Sequence, residues 1–182
     1  MLRVISGSAR GRKLKEPAGF TIRPTNSRVK EAAFDIVQFQ IEDKRVLDLF
    51  AGTGQIGIEA LSRGAASAVF VDSNPEAIKL IRRNLELSGF TGLATVLHRD
   101  ALRFLERSGQ FDLIYIDPPY DTTLASDAVA KIIKFDMLET DGIILCETKA
   151  GFVMPLVQPP YHLRKEYRYG GVSIALYGHS GL

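Results

Sequence analysis

The run Phe111-Asp112-Leu113-Ile114-Tyr115-Ile116-Asp117-Pro118-Pro119-Tyr120 holds the residues whose types say most about chemistry. It begins apolar and β-branched, the pattern of a buried strand. It stops at Asp-Pro-Pro-Tyr. Neither proline has an N–H to donate, and each drives the residue before it towards an extended backbone. Asp117 and the carbonyl of Pro118 are left as hydrogen-bond acceptors with few donors nearby, and Tyr120 adds a flat aromatic face. Acceptors beside a ring suit a planar group that carries an –NH2, such as a nucleobase. Alone, these four residues read more readily as a strand that merely ends in a Pro-Pro turn; what lies upstream reverses that preference.

A second constellation lies upstream. The expected strand Val46–Phe50 runs into Ala51-Gly52-Thr53-Gly54-Gln55-Ile56-Gly57, a G-x-G-x-x-G pattern between a strand and a helix. The glycines permit a tight turn and close approach of a ligand to backbone N–H groups. Asp72 lies 20 residues after Gly52, at the end of the second expected strand, where a carboxylate can accept both hydroxyls of a ribose. So far the pattern would suit a dinucleotide. Asp48, four residues before Gly52, turns it elsewhere. A pyrophosphate would be repelled by that carboxylate, whereas a sulfonium and an ammonium would be attracted. Asp100-Ala101 follows the third expected strand, where an acceptor meets an adenine amino group and an apolar residue packs its ring; Asp100 is equally suited to cap a helix. Three acids at successive strand ends fit a cationic nucleoside such as S-adenosylmethionine (SAM), bound where open α/β sheets bind ligands. An NAD-dependent oxidoreductase is disfavoured by Asp48 and by the lack of a recognisable hydride-transfer site.

The elements that must position these residues alternate. Strands are expected at Val46–Phe50, Ala68–Asp72, Ala94–His98, Phe111–Ile116 and Gly142–Glu147. Helices are expected at Ile56–Ser62, Asn74–Leu87 (stopped by Gly89), Ala101–Arg107 and Leu124–Phe135. This rhythm argues for an α/β, doubly wound, mostly parallel sheet with helices on both faces. Leu163–Tyr169 and Val172–Tyr177 flank Gly170-Gly171 and read as an antiparallel C-terminal hairpin. A helix is expected over Arg28–Val37, with Val29, Ala32, Ala33, Ile36 and Val37 on one face; 41–45 reads as a polar link. Residues 1–27 read as a short basic hairpin or irregular arm ahead of a single domain spanning 28–182.

Charge supports a polyanionic partner. Residues 1–30 carry eight Lys/Arg against one acid, a net +7, whereas the remainder is −5. Arg10, Arg12, Lys13, Arg23 and Arg28 are the phosphate-contact candidates, joined by Arg164, Lys165 and Arg168 from the late hairpin. Tyr161, Tyr167 and Tyr169 are either base-stacking residues or ordinary half-buried strand aromatics. With 182 residues and 46% hydrophobic content, the chain can bury one sizeable core. No apolar run reaches transmembrane length, and no apolar leader opens the sequence. The single cysteine, Cys146, excludes an internal disulfide and fits a reducing cytoplasm. The three histidines form no cluster at ligand spacing, so no metal is expected.

The motifs VLDLFAGTGQIG, VFVDSN, RDA and DPPY, in this order, resemble the class I SAM-dependent methyltransferases that act on exocyclic amines. RVISGSARGRKL, RPTNSRVKEAAFDIV, GIEALSRGA and YRYGGVSIALY narrow the resemblance to the RsmD family, which methylates a guanine N2 in bacterial 16S ribosomal RNA. The resemblance covers nearly the whole chain. It implies a Rossmann-like methyltransferase fold with a seven-stranded sheet, SAM as donor with S-adenosylhomocysteine as product, and 16S rRNA as partner, in a small-subunit assembly particle. It also implies a cofactor site from Asp48, Phe50, Gly52, Gly54, Asp72, Ser73, Asp100 and Ala101, and a catalytic turn from Asp117, Pro118 and Tyr120. Two alternatives share DPPY or the basic arm: a DNA or RNA adenine-N6 or cytosine-N4 methyltransferase, and an RNA-binding module without catalysis. The absence of a target-recognition domain speaks against the DNA enzyme.

Overall fold

The computed structural model describes residues 2–17, 27–106, 109–120 and 122–179. Apolar, β-branched segments form five parallel strands: β1 (Arg45–Leu49), β2 (Ser67–Asp72), β3 (Ala94–His98), β4 (Phe111–Ile116) and β5 (Leu138–Lys149). A C-terminal hairpin, β6 (Tyr161–Tyr169) and β7 (Val172–His179), completes a seven-stranded sheet in the order β3-β2-β1-β4-β5-β7-β6, with β7 antiparallel to both neighbours. The fold is therefore Rossmann-like, as the strand–helix rhythm predicts.

Side-chain alternation on these strands feeds two cores. Val46, Phe70, Leu113, Tyr115 and Leu145 face the layer of α1 (Ser27–Ile36), α2 (Gln55–Ser62) and α3 (Pro75–Ser88). Leu47, Leu49, Ile114, Ile116 and Cys146 face α4 (Ala101–Phe104) and α5 (Leu124–Lys134). Covering on both faces explains why the central strands read as continuous apolar runs. In α3 the Asn74 side chain accepts from the Glu76 N–H at 2.9 Å, Pro75 opens the helix, and Gly89 closes it at φ 83°.

Most expected bounds shift by one or two residues, and two shift further. The helix after Asp100 lasts only four residues rather than reaching Arg107. β5 begins at Leu138, not Gly142, because a register shift against β4 between Phe111 and Leu113 absorbs the polar stretch Glu139-Thr140-Asp141. Ile41, expected in a polar link, is buried.

Residues 2–14 make a small hairpin. Val4 N–H donates to the Arg12 carbonyl (3.0 Å) and Leu14 N–H to the Leu2 carbonyl (2.9 Å). Leu2, Val4, Ala9 and Leu14 are buried in the α1–α3 core, while Arg3, Arg10, Arg12 and Lys13 stay exposed. The hairpin is clamped to α2 by polar groups. The Glu59 carboxylate, 0% exposed, accepts the N–H groups of Ile5 (2.8 Å) and Ser6 (2.9 Å). Ser62 Oγ accepts from Ala9 N–H at 3.0 Å, and the Ser62 carbonyl from Ser8 N–H at 2.7 Å. That approach requires glycine at position 7, where φ is +81° and a Cβ would stand 1.7 Å from the Ser62 carbonyl oxygen. Lys30, one of the eight basic residues counted over 1–30, is instead buried: its Nζ donates to the Arg3 carbonyl (2.9 Å) and pairs with Glu59 at 3.4 Å.

Candidate active site

Strand order reverses between β1 and β4, and the crevice beyond their carboxyl ends is where doubly wound folds bind ligands. Register decides what meets there. Leu49 pairs with Ile116, so Phe50 and Asp117 leave the sheet side by side. Leu49 also pairs with Val71, which brings Asp72 to the same edge. Asp72 pairs with His98, with Asp100 two residues beyond, and Ile116 pairs with Cys146, which sets Glu147 beside Asp117. Acids from five strand ends thus converge on one edge, since Asp48 lies just beneath it on β1.

The loop after β1 is held open by conformation and carboxylates together. Phe50 has φ 65°, a left-handed backbone that costs a non-glycine residue about 1–3 kcal/mol. Gly52 and Gly54 follow at φ 54° and 74°, Gly54 being the residue before α2. Asp72 Oδ2 accepts the Gly52 N–H at 2.8 Å and its Oδ1 accepts the Asn74 N–H at 2.8 Å. Asp48 is 2% exposed, and its Oδ2 accepts the Gly57 N–H at 2.9 Å in the first turn of α2. Burial pushes the Asp48 carboxyl well above its ordinary value; the Gly57 N–H opposes this, and the neighbouring Asp117 and Asp72 reinforce it.

That raised value yields a prediction. For an acid with a raised folded-state value, the folded protein takes up the proton first, so stability falls as pH rises from 3.8 through the raised value. Asp48→Asn removes this penalty and keeps an acceptor for Gly57. The variant is expected to melt higher than the native chain at neutral pH and equally near pH 4. Thermal melts across pH check this, and a lower melting point at neutral pH would contradict it.

Asp100 does cap α4: its Oδ1 accepts the Arg103 N–H at 2.9 Å. Ala101 is buried in the α5-side core, so it is packed from below rather than standing open. The Ser73 carbonyl lies 2.9 Å from His98 Nε2.

On the other side of the crevice, Pro118, Pro119 and Tyr120 form one wall of a cavity of about 230 Å³. Glu147, Thr148 and Phe152 also line it. Glu147 is 2% exposed and receives two phenols: Tyr120 donates to Oε1 at 2.6 Å and Tyr115 to Oε2 at 2.8 Å. Burial, then the Glu147 and Asp117 carboxylates, push the Tyr115 phenol well above its ordinary value and keep it a donor. The Cys146 thiol is raised by burial and by the same two carboxylates, and it lies in the core.

Three residues of this region escape sequence reasoning. Glu147 had a signal, because it closes an apolar strand run as Asp117 does. Tyr115 looks like one more core aromatic. Asn84 sits on the inward face of α3 among Ile81, Leu85 and Ser88, and that misplaced polarity is its only mark. It is fully buried: its Nδ2 donates to the Thr53 carbonyl (2.9 Å) and the Lys15 carbonyl (3.2 Å), and its Oδ1 accepts the Lys15 N–H (2.7 Å). One amide thus ties the glycine loop to the N-terminal hairpin.

The basic candidates divide. Arg10, Arg12, Lys13, Arg28 and Arg168 are exposed, and Arg23 lies outside the described residues. Arg164 is half-buried, its Nη2 donating to the His179 carbonyl at 3.2 Å. Lys165 Nζ sits 4.7 Å from the centre of the Tyr167 ring. Tyr161 cannot stack on a base: it is 3% exposed and its hydroxyl donates to Asp136 at 2.6 Å.

The profile of a family described as Conserved hypothetical protein 95 matches residues 2–178. Ribosomal RNA small subunit methyltransferase D of Haemophilus influenzae is 34% identical over 97% of this chain and 93% of its own length. The chain belongs to the RsmD family. Another relative, YlbH of Bacillus subtilis, is 38% identical over 99% of this chain and 100% of its own. The solved Escherichia coli structure of yhhF superposes with a TM-score of 0.88 at 31% identity, covering 98% of this chain and 97% of that one. Like its RsmD relatives, the protein is a methyltransferase. Among the described residues no helix is long and apolar enough to cross a membrane, and no group of three His, Cys, Asp or Glu is placed to hold a metal.

Proposed function

We propose that the protein transfers a methyl group from SAM to the exocyclic N2 of a guanine in small-subunit ribosomal RNA, in the cytoplasm and on an assembly particle. The observation that carries this reading is the pairing of two features across the switch point: converging carboxylates on β1 and β2, and an acceptor-rich Asp117-Pro118 turn on β4. The fit to SAM rests on the donor set. Asp72 raises the cost of ionising Asp48, and a cation beside these two carboxylates relieves that repulsion. Asp48, Phe50, Gly52, Gly54, Asp72, Ser73, Asp100 and Ala101 would hold it. When bound, SAM supplies a methyl on a sulfonium and leaves as S-adenosylhomocysteine.

The chain's own residues do the rest. An aromatic amine is a poor nucleophile because its lone pair is delocalised into the ring. Asp117 and the Pro118 carbonyl accept from its two N–H groups, turn the nitrogen towards tetrahedral geometry and free the lone pair. After methylation the nitrogen sheds its extra proton to Asp117 or to water. Tyr120 stacks on the base, worth about 1–3 kcal/mol. No strong base is needed, since orientation supplies much of the rate. Arg10, Arg12, Lys13, Arg23, Arg28 and Arg168 meet phosphates.

The test is tritiated-methyl transfer to total RNA, small-subunit particles and DNA, followed by nucleoside analysis. N2-methylguanosine in small-subunit rRNA is the expected product; N6-methyladenosine, N4-methylcytidine or labelled DNA would refute it. Charge reversal at Arg10, Arg12 and Lys13 is expected to weaken RNA binding uniformly and to flatten its salt dependence by about 0.7 per lost phosphate contact. Filter binding across salt measures this, and an unchanged slope would remove the hairpin from the interface.

A further inference from the structure

The RsmD fold and the DPPY turn account for attack by an amine, but they do not say which base is accepted. Adenine, cytosine and guanine all carry an exocyclic –NH2. They differ in the ring atom beside it. Guanine presents N1–H next to its N2 amine, a donor; adenine N1 and cytosine N3 are bare acceptors. A site choosing guanine therefore needs a second acceptor adjacent to the one that holds the amine.

Glu147 stands in that place. Register carries it alongside Asp117, and it lines the same cavity as Pro118 and Tyr120. It is 2% exposed and spans from the Tyr115 hydroxyl (2.8 Å) to the Tyr120 hydroxyl (2.6 Å). Both phenols donate, so the carboxylate is held as an acceptor. A carboxylate offers about four lone-pair sites, enough to accept from two phenols and from a ring N–H as well. The two phenols also fix its rotamer, and this preorganises the reading group. A base with a lone pair at that ring position would face a buried carboxylate and lose its own hydration without return.

We propose that Glu147 accepts the ring N–H beside the target amine and thereby makes this site specific for guanine over bases that are unprotonated there. The inference rests on the proposed guanine-N2 activity and deepens it. Tyr115 serves as a positioning residue that acts through Glu147.

The decisive substrate is the rRNA fragment with the target guanine replaced by 2-aminopurine, which keeps the 2-amine but has no N1–H. The wild-type protein is expected to methylate guanine over 2-aminopurine by about 100-fold or more in kcat/KM, the discrimination a paired polar contact gives. Glu147→Gln is expected to narrow that ratio to below about 10-fold, chiefly through guanine. Tyr115→Phe, which keeps the carboxylate, is expected to lie between. A wild-type protein that treats both bases alike overturns the proposal, and this arm needs no variant to fold. So does a Glu147→Gln protein that slows on both substrates in proportion, the signature of a merely structural role. Wild-type protein that methylates neither RNA refutes the guanine-N2 function itself, a separate and visible failure.

Discussion

Asp117→Ala is expected to lower methyl transfer by about 10²–10³-fold or more, with SAM affinity by calorimetry nearly unchanged. The carboxylate is one of two acceptors that would act on the target amine, and the Pro118 carbonyl alone cannot orient both N–H groups. Asp117→Asn keeps a carbonyl oxygen and is expected to retain a measurable fraction of the rate, so the Ala and Asn variants separate acceptor geometry from charge. Asp117 is one of the carboxylates that raise the cost of burying Asp48, so its removal eases that repulsion. An Asp117→Ala protein that methylates at a rate near the native one would remove the turn from the chemistry. One that loses SAM binding as well would place Asp117 in the donor site.

The second large effect is on stability. Glu59 is 0% exposed and gathers Ile5 N–H, Ser6 N–H, Lys30 Nζ at 3.4 Å and Arg63 Nε at 3.0 Å. Glu59→Ala strands a buried ammonium and two backbone donors, and removing one partner of a buried pair costs about 3–5 kcal/mol. For a domain of this size that is a fall in melting temperature of roughly 10 °C. Adding Lys30→Met to Glu59→Ala should recover part of the loss, because the orphaned charge goes, while the Ile5 and Ser6 N–H groups still lack an acceptor. Differential scanning calorimetry on both variants checks the prediction. A loss below about 1 kcal/mol for the single change would mean that the hairpin is not held by this carboxylate. Because Asn84 links Lys15 to Thr53, a loosened hairpin is also expected to reach the glycine loop.

These two residues also mark what was legible in the sequence. Asp117 announces itself, because an acid between an apolar strand and a Pro-Pro pair has a local reason to be noticed. The same holds for Asp48, Asp72 and the glycines, whose meaning depends on strand–loop–helix order within about 25 residues. Strand and helix periodicity likewise fixed the sheet, since each element buries one period-matched face. Glu59, Asn84 and Glu147 are different. Their partners lie 53, 69 and 32 residues away, at Ser6, Lys15 and Tyr115, and no local pattern announces such a pairing. The basic arm illustrates the cost. Its positive charge was plain, but that Lys30 is buried as the counter-ion of Glu59 became visible only once α1 and α2 were packed together. The short α4 and the early start of β5 were missed for a related reason: tertiary register, not propensity, sets those ends.

The central claim is that the carboxyl edge of β1, β2 and β4 holds a cationic methyl donor with its reactive end towards the Asp117–Tyr120 turn. A crystal structure of the complex with S-adenosylhomocysteine tests it most directly. The expected result has the ribose at Asp72, the amino-acid portion near the Gly52–Gly54 loop and Asp48, and the sulfur facing Asp117 and the cavity beneath Tyr120. A sulfur turned away from that cavity, or a ligand seated outside the β1–β4 crevice, would contradict it.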